Sequence, residues 1–262
     1  MNSIPNAADT LAEMRATHTI VEALAEDVRP RDLATAYQIQ DALVDRLLLR
    51  HGGRRIGYKA ACTNKLAQTQ LNVPAPLAGQ MLSFSHFHTP ATLPTSDFTR
   101  RIIEAEFGVQ MAADVPARAT PYDVASIRPF IGSVMPGIEI VSHRFVDWSK
   151  VGAPSIAADN AIHGAWIQGE PFADWASLDL VTHPVSLTVN GTLFDRGTGA
   201  NVLGHPFNVV AWLANELPHR GKQLKAGDFI TTGVVMNVYL ANAGDEIVAD
   251  FGVMGKIELT FI

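Results

Sequence analysis

The spacing of apolar positions changes near residue 54. Before it they recur every three to four residues, the period of a helix with one buried face; after it they fall into short runs, several of them alternating, set apart by Pro and Gly. Thr10 and Glu13 have the spacing of a capping box ahead of a helical run through Leu24, which predicts a first helix. After a break at Val28, Arg29 and Pro30, the residues Leu33, Tyr37, Leu43, Val44, Leu47 and Leu48 form one stripe that Gly52 and Gly53 end, which predicts a second.

From Arg55 onward the pattern predicts strands over residues 56–61, 101–111, 138–143, 185–189, 229–232 and 256–262, with helical patches at 63–71, 121–127 and 206–215. Strands that are not followed regularly by helices argue against a doubly wound parallel sheet and for the α+β class. Asn190-Gly191, Ala226-Gly227-Asp228 and Ala243-Gly244-Asp245 are turn signals that suit hairpins or tight bends. No internal repeat or long linker interrupts the chain. The expected organisation is an N-terminal helical segment over residues 1–53 joined to a β-rich catalytic domain over 54–262.

Composition narrows the function classes. The 262 residues suit one large domain or a domain with an appendage, and 47% hydrophobic with 18% charged residues is globular composition that supplies a sizeable core. Lys and Arg number 20 against 26 Asp and Glu, a net charge of −6, so no overall positive field exists to hold a polyanion and no nucleic-acid partner is expected. One cysteine, Cys62, forbids an intramolecular disulfide, and no basic stretch with a following apolar run opens the chain; a reducing cytoplasm is the expected location. No run approaches the ~18–20 apolar residues of a membrane span.

Carboxylates supply the first candidate chemistry. Ile103, Ala105, Phe107, Val109 and Met111 share one face of the strand predicted over 101–111, which places Glu104 and Glu106 side by side on the other. Glu139 lies between Ile138 and Ile140 in a second strand expected to be buried. Buried carboxylates need a pairing charge, and three that converge are most simply compensated by a divalent cation. All-oxygen ligation points to a hard ion, Mg²⁺ or Mn²⁺. On spacing alone the alternative stands equally: Glu104 and Glu106 on the solvated face of an edge strand, and Glu139 paired with Arg144 or another base.

Lys59 follows Ile56-Gly57-Tyr58 and precedes Ala60-Ala61-Cys62, a small, apolar setting for an ammonium. Burial would lower its pKa and free the amine for proton transfer, or a nearby carboxylate would keep it charged; a snorkelling surface lysine is the blander reading. Asp159 and Asn160 end an apolar run, where they can orient water, Lys59 or a metal-bound ligand, or simply make an Asx turn. His86 and His88 read as a surface turn beside Thr89 and Pro90, and Gly197, Gly199 and Gly204 lack dinucleotide or P-loop spacing. Without a Gly-x-Ser-x-Gly elbow an α/β-hydrolase is disfavoured. Cys62 and the lone histidines His163, His183 and His205 read as structural.

The order of motifs is more specific than any one of them. Gly57-Tyr58-Lys59, Thr63, Gln70-Leu71-Asn72-Val73 and Pro76-x-x-Gly79 precede Glu104-x-Glu106; Pro136-Gly137-Ile138-Glu139-Ile140, Arg144, Asp147-Trp148 and Ala158-Asp159-Asn160 follow. Beyond them come Gly199, Leu203-Gly204-His205-Pro206, Trp212-Leu213-Ala214, Leu224-x-Ala226-Gly227-Asp228, Thr232-Gly233, Ala243-Gly244-Asp245 and Gly255. This series, from about Arg31 to the C-terminus, resembles the 2-keto-4-pentenoate hydratase and 4-oxalocrotonate decarboxylase family of the fumarylacetoacetate hydrolase superfamily.

The resemblance implies a mixed β-roll catalytic domain with an N-terminal helical segment, a homo-oligomer, and Mg²⁺ or Mn²⁺ held by Glu104, Glu106 and Glu139. It also implies Lys59 and Asp159 as the groups that handle protons, with Leu77, Asn160, Ile162, Thr232 and Gly233 at substrate positions. Two of these depart from the family pattern: Leu77 stands where an acidic residue often follows the Pro of Pro-x-x-Gly, and Ile162 where Ser often follows Asp-Asn-Ala. The implied activity is hydration of a small 2-hydroxydienoate or its 2-oxo-enoate tautomer to a 4-hydroxy-2-oxo acid, as in meta-cleavage degradation of aromatics. The rivals are decarboxylation of a vinylogous 2-oxo diacid, which apolar Leu77 and Ile162 favour, and a non-catalytic subunit associated with a related pathway enzyme. An acylpyruvate C–C hydrolase is a further option, but the N-terminal segment lacks a Glu-His pair to activate water.

Overall fold

The computed structural model describes residues 4–262. Its first helix, α1 (Ile4–Thr17), starts earlier and stops sooner than the sequence pattern predicts. Thr10 lies in its interior, where its hydroxyl donates back one turn to the Asn6 carbonyl at 2.8 Å, a common alternative to capping, so no capping box forms with Glu13. The chain leaves the helix at His18, with φ 55, and residues 19–28 run irregularly toward Leu24 instead of continuing it. Val21 pins that stretch: its N–H donates to the Arg144 carbonyl at 3.0 Å, and its carbonyl accepts from Val146 N–H at 2.9 Å.

The second helix, α2 (Leu33–His51), follows the pattern closely. The Asp32 carboxylate accepts from Thr35 N–H at 2.7 Å to cap its start. Gly52, with φ 75, ends it while donating to the Leu48 carbonyl. The stripe through Tyr37, Leu43, Val44 and Leu47 is buried.

From residue 55 the elements are β1 (Arg55–Ala61), α3 (Lys65–Leu71), β2 (Leu77–Leu82), β3 (His86–His88), β4 (Ala91–Leu93), β5 (Ile102–Met111), α4 (Val124–Ile127), β6 (Ile131–Val141), α5 (Ala153–Ala158) and β7 (His163–Gln168). They are followed by β8 (Pro184–Val189), β9 (Thr192–Thr198), α6 (Pro206–Glu216), β10 (Phe229–Val234), β11 (Tyr239–Leu240), β12 (Glu246–Asp250) and β13 (Lys256–Phe261). One sheet has the order β2-β1-β10-β5-β6-β7-β3, with β11 also on β5; the other runs β4-β13-β12-β8-β9. Both are mixed: β1 with β10, β3 with β7 and β4 with β13 are parallel, and the remaining pairs antiparallel. The result is α+β, and Asn190 and Gly191, both at positive φ, make the β8–β9 hairpin turn that their sequence predicts.

Two features of this arrangement position the site. β5 is central, flanked by β10 and β6, so Glu104 and Glu106 are not on a sheet edge. Trp166 on β7 lies across the sheet where Gly108 and Gly137 have no side chains; a Cβ on Gly137 would come within 1.6 Å of its ring. One buried apolar cluster extends from Ala7 and Leu11 of α1 to Phe261 of β13, so the N-terminal helices share their core with the sheets. Among the described residues no helix is long and apolar enough to cross a membrane.

Candidate metal centre

β5 and β6 pair antiparallel with Glu104 opposite Glu139 and Glu106 opposite Gly137. Residues two apart on a strand share a face, so the three carboxylates converge on one side of the pair, and an oxygen from each lies within 4.8 Å of the others. Glu106 and Glu139 are fully buried. One Glu106 oxygen accepts from Gly233 N–H at 2.6 Å, and one Glu139 oxygen meets His163 Nδ1 at 2.8 Å and Lys59 Nζ at 3.1 Å. The other oxygens, Glu106 Oε1 and Glu139 Oε2, have no protein partner. Orphaned anionic oxygens in a dry pocket are costly, and a hard divalent cation is the ligand that their chemistry fits.

The electrostatics point the same way. Burial, reinforced by the charge of Glu139, lifts Glu104 to about 7. Burial and the charges of Glu139 and Glu104 raise Glu106 well above the ordinary carboxylate range. Glu139 goes down: burial opposes its charge, but the Lys59 ammonium and the His163 hydrogen bond outweigh it. Of the two buried fates open to Lys59 in the sequence, the structure takes the charged one. Burial disfavours its ammonium, yet Glu139, Glu104 and Glu106 together raise its pKa, and Nζ also donates to the Ala161 carbonyl at 3.0 Å.

That carbonyl is aimed by an unusual turn. Asn160, Ala161 and Ile162 have φ 54, 48 and 55, three successive left-handed residues, a conformation that costs about 1–2 kcal/mol for each L-residue. The Asn160 amide holds the turn by accepting from Gln80 N–H at 2.7 Å and donating to the Gln80 carbonyl at 2.8 Å. Asp159 clamps its other end. One oxygen accepts from Arg15 Nε at 2.9 Å and the other from Arg144 Nε at 2.6 Å.

The residues singled out in the sequence therefore occupy two settings. Lys59, Glu104, Ile162 and Gly233 line a cavity of about 110 Å³, with Glu106 and Glu139 bound to members of that lining. Asp159, Asn160, Leu77 and Thr232 are buried outside it: Asp159 faces its two arginines, Asn160 faces Gln80, and the Thr232 hydroxyl donates to the Phe107 carbonyl at 2.9 Å. His163, read as structural from its lone position, is the partner of Glu139, and Arg15 of α1 reaches the turn from more than 140 residues away. Only the pairing of β6 with β7 and the docking of α1 reveal these two contacts. Thr63 joins the lining too, its side chain packed so closely on Gly233 that a Cβ there would come within 1.8 Å of Oγ1.

Comparison with known proteins gives this arrangement a context. The model of the fumarylacetoacetate (FAA) hydrolase C-terminal family matches residues 57–262. A 2-keto-4-pentenoate hydratase of Paraburkholderia phymatum is 27% identical over 99% of this chain and 98% of its own. A 2-hydroxyhexa-2,4-dienoate hydratase of Comamonas testosteroni is 32% identical over 82% of this chain and 81% of its own. Among solved structures, 4-oxalocrotonate decarboxylase from Pseudomonas putida G7, complexed with magnesium and adipate, superposes with a TM-score of 0.91 at 26% identity, over 99% of this chain and 97% of that one.

Proposed function

Because the chain belongs to the fumarylacetoacetate hydrolase C-terminal family, we propose that it is a divalent-metal-dependent lyase that hydrates a 2-hydroxydienoate or its 2-oxo-enoate tautomer to a 4-hydroxy-2-oxo acid in the breakdown of aromatic compounds. One observation carries this reading: three convergent glutamates with two orphaned buried oxygens, beside a buried charged lysine. Glu104, Glu106 and Glu139 would hold Mg²⁺ or Mn²⁺. When bound, such an ion supplies Lewis-acid polarisation of the substrate carboxylate and C2 oxygen.

The chain's own groups supply the rest. Gly233 N–H and His163 orient Glu106 and Glu139, so that each keeps its other oxygen free for a ligand. Lys59, fixed between Glu139 and the Ala161 carbonyl, holds a proton at Nζ for delivery to the carbon skeleton as the enol becomes a ketone. Ile162 and its apolar neighbours keep bulk water from the enol. Asp159 acts at one remove, by securing the turn that presents Ala161 and Ile162. A cytoplasmic homo-oligomer, associated with a related pathway enzyme, is the form in which we expect it to work.

Decarboxylation of a vinylogous 2-oxo diacid at the same centre is the second reading. Ile162 favours it, because the pocket has an apolar side chain where the resemblance leads one to expect serine. Incubation with Mn²⁺ and each substrate type separates the two. Hydration predicts loss of diene absorbance without CO₂, and loss of both activity and Mn²⁺ binding in a folded Glu106→Ala variant. CO₂ release from the diacid alone would establish the second reading, and turnover that survives chelation would overturn both.

A further inference from the structure

The row of side chains that carries the acidic centre continues without a polar break. On the face shared by Glu106 and Glu104, the next residue of β5 is Ile102, and Ile102 stands directly opposite Val141, as Glu104 stands opposite Glu139. At about 3.4 Å per strand residue, this apolar pair begins ~7 Å beyond the acidic pair, and both of its residues line the same cavity as Glu104 and Lys59. Leu71, Trp148, Ile156 and Ile162 complete that wall.

Of the polar side chains in the lining, Cys62, Thr63 and Asn64 carry no charge, and Glu104 and Lys59 belong to the acidic end. Lys59 is bound to Glu139 and the Ala161 carbonyl, and the Asn64 side chain caps α3 by accepting from Ala67 N–H at 2.9 Å. Among the described residues that line the cavity, Lys59 is the only cation. Arg144, on the chain that follows β6, turns away to Asp159. A second carboxylate at the far end of a bound substrate would therefore be desolvated with no counter-charge, which strongly disfavours it.

From this we infer that the substrate is a monocarboxylic acid whose distal end is an uncharged alkyl group, and that Ile102, Val141, Trp148, Ile156 and Ile162 form the pocket that selects it. The inference rests on the metal-dependent lyase function proposed above and names its substrate class: a 2-hydroxydienoate ending in hydrogen, methyl or a short alkyl chain, not a dienedioate.

Equilibrium binding of two unreactive probes to the Mn²⁺-loaded protein tests this without turnover. The probes are 2-oxohexanoate and 2-oxoadipate, which differ in the terminal group. The expected result is binding of 2-oxohexanoate at least ~10-fold tighter, a discrimination typical of leaving one buried polar group unpaired. Placing a cation at the far end should narrow or reverse the ratio, and half-buried Trp148 provides the position: Trp148→Arg and Trp148→Lys are expected to do so, whereas the uncharged control Trp148→Phe is expected to keep the preference for 2-oxohexanoate. Equal or tighter binding of 2-oxoadipate to the unmodified protein overturns the inference, even if dienoates are hydrated. Discrimination between the probes without hydration of any dienoate sustains the pocket and sinks the hydratase function. Failure of both probes to bind overturns both.

Discussion

Glu104, a proposed metal ligand, is also a group that binds a proton near neutrality. Its pKa, raised to about 7 by burial and by Glu139, means that near neutrality the metal-free centre holds protons that a cation must displace. Mn²⁺ affinity is therefore expected to fall steeply below about pH 7, well above the range near 4.5 in which an ordinary glutamate would begin to compete. The sign for stability follows from linkage. A carboxyl group whose folded pKa lies above its unfolded value stabilises the fold at low pH, and that contribution disappears as pH rises through about 7. Buried His143 and His163, whose pKa values are lowered, act in the opposite sense over the acid side of the range, so the comparison that isolates Glu104 is between proteins. Without metal, the unmodified protein should lose stability relative to Glu104→Gln between about pH 5 and 8, as read by urea unfolding. A stability difference that does not change across this range would mean that Glu104 titrates normally.

At the scale of elements, the β5–β6 pair is the frame of the centre, and its register depends on what is missing from it. Gly137, opposite Glu106 and two residues from Glu139, leaves the slot that Trp166 fills. Gly137→Ala should push the β7 tryptophan away and displace Glu139 with it. A loss of about 1–3 kcal/mol, the usual range for overpacking a tight core, is expected in chemical denaturation, with a fall in Mn²⁺ affinity. Full stability with intact metal binding would mean that this packing does not set the register. The alternation in 101–111 was readable because a strand buried on one apolar face has period two whatever its neighbours are. The first helix differs from its predicted span because a Thr-x-x-Glu spacing is a purely local signal, and a helical threonine meets its hydrogen-bonding need on the carbonyl one turn back.

Across the whole molecule, Asp159 ties together α1 through Arg15, the segment after β6 through Arg144, and the left-handed turn that faces the cavity. Asp159→Ala would leave the fully buried end of this clamp as an unpaired guanidinium, and breaking such a pair costs about 3–5 kcal/mol. The unfolding midpoint should drop accordingly, whereas Arg144→Met combined with Asp159→Leu should recover much of the loss. A fully stable Asp159→Ala protein that is inactive would instead assign this carboxylate a direct part in the chemistry. Neighbouring residues encode the α+β class, the second helix, the alternation that sets Glu104 beside Glu106 and the family likeness, because periodicity, caps and ordered motifs are local signals; the strand of Glu139 begins at Ile131, seven residues before the 138–143 run that its pattern predicts. Long-range packing places β10 between β1 and β5, His163 on Glu139, Asp159 on Arg15 and Arg144, and an uncharged lining at the Ile102–Val141 end of the cavity. Those contacts join segments 15 residues apart at Arg144 and Asp159, 144 apart at Arg15 and Asp159, and further still at β1 and β10, and their geometry is set by how sheets and helices share one core, which no local pattern encodes.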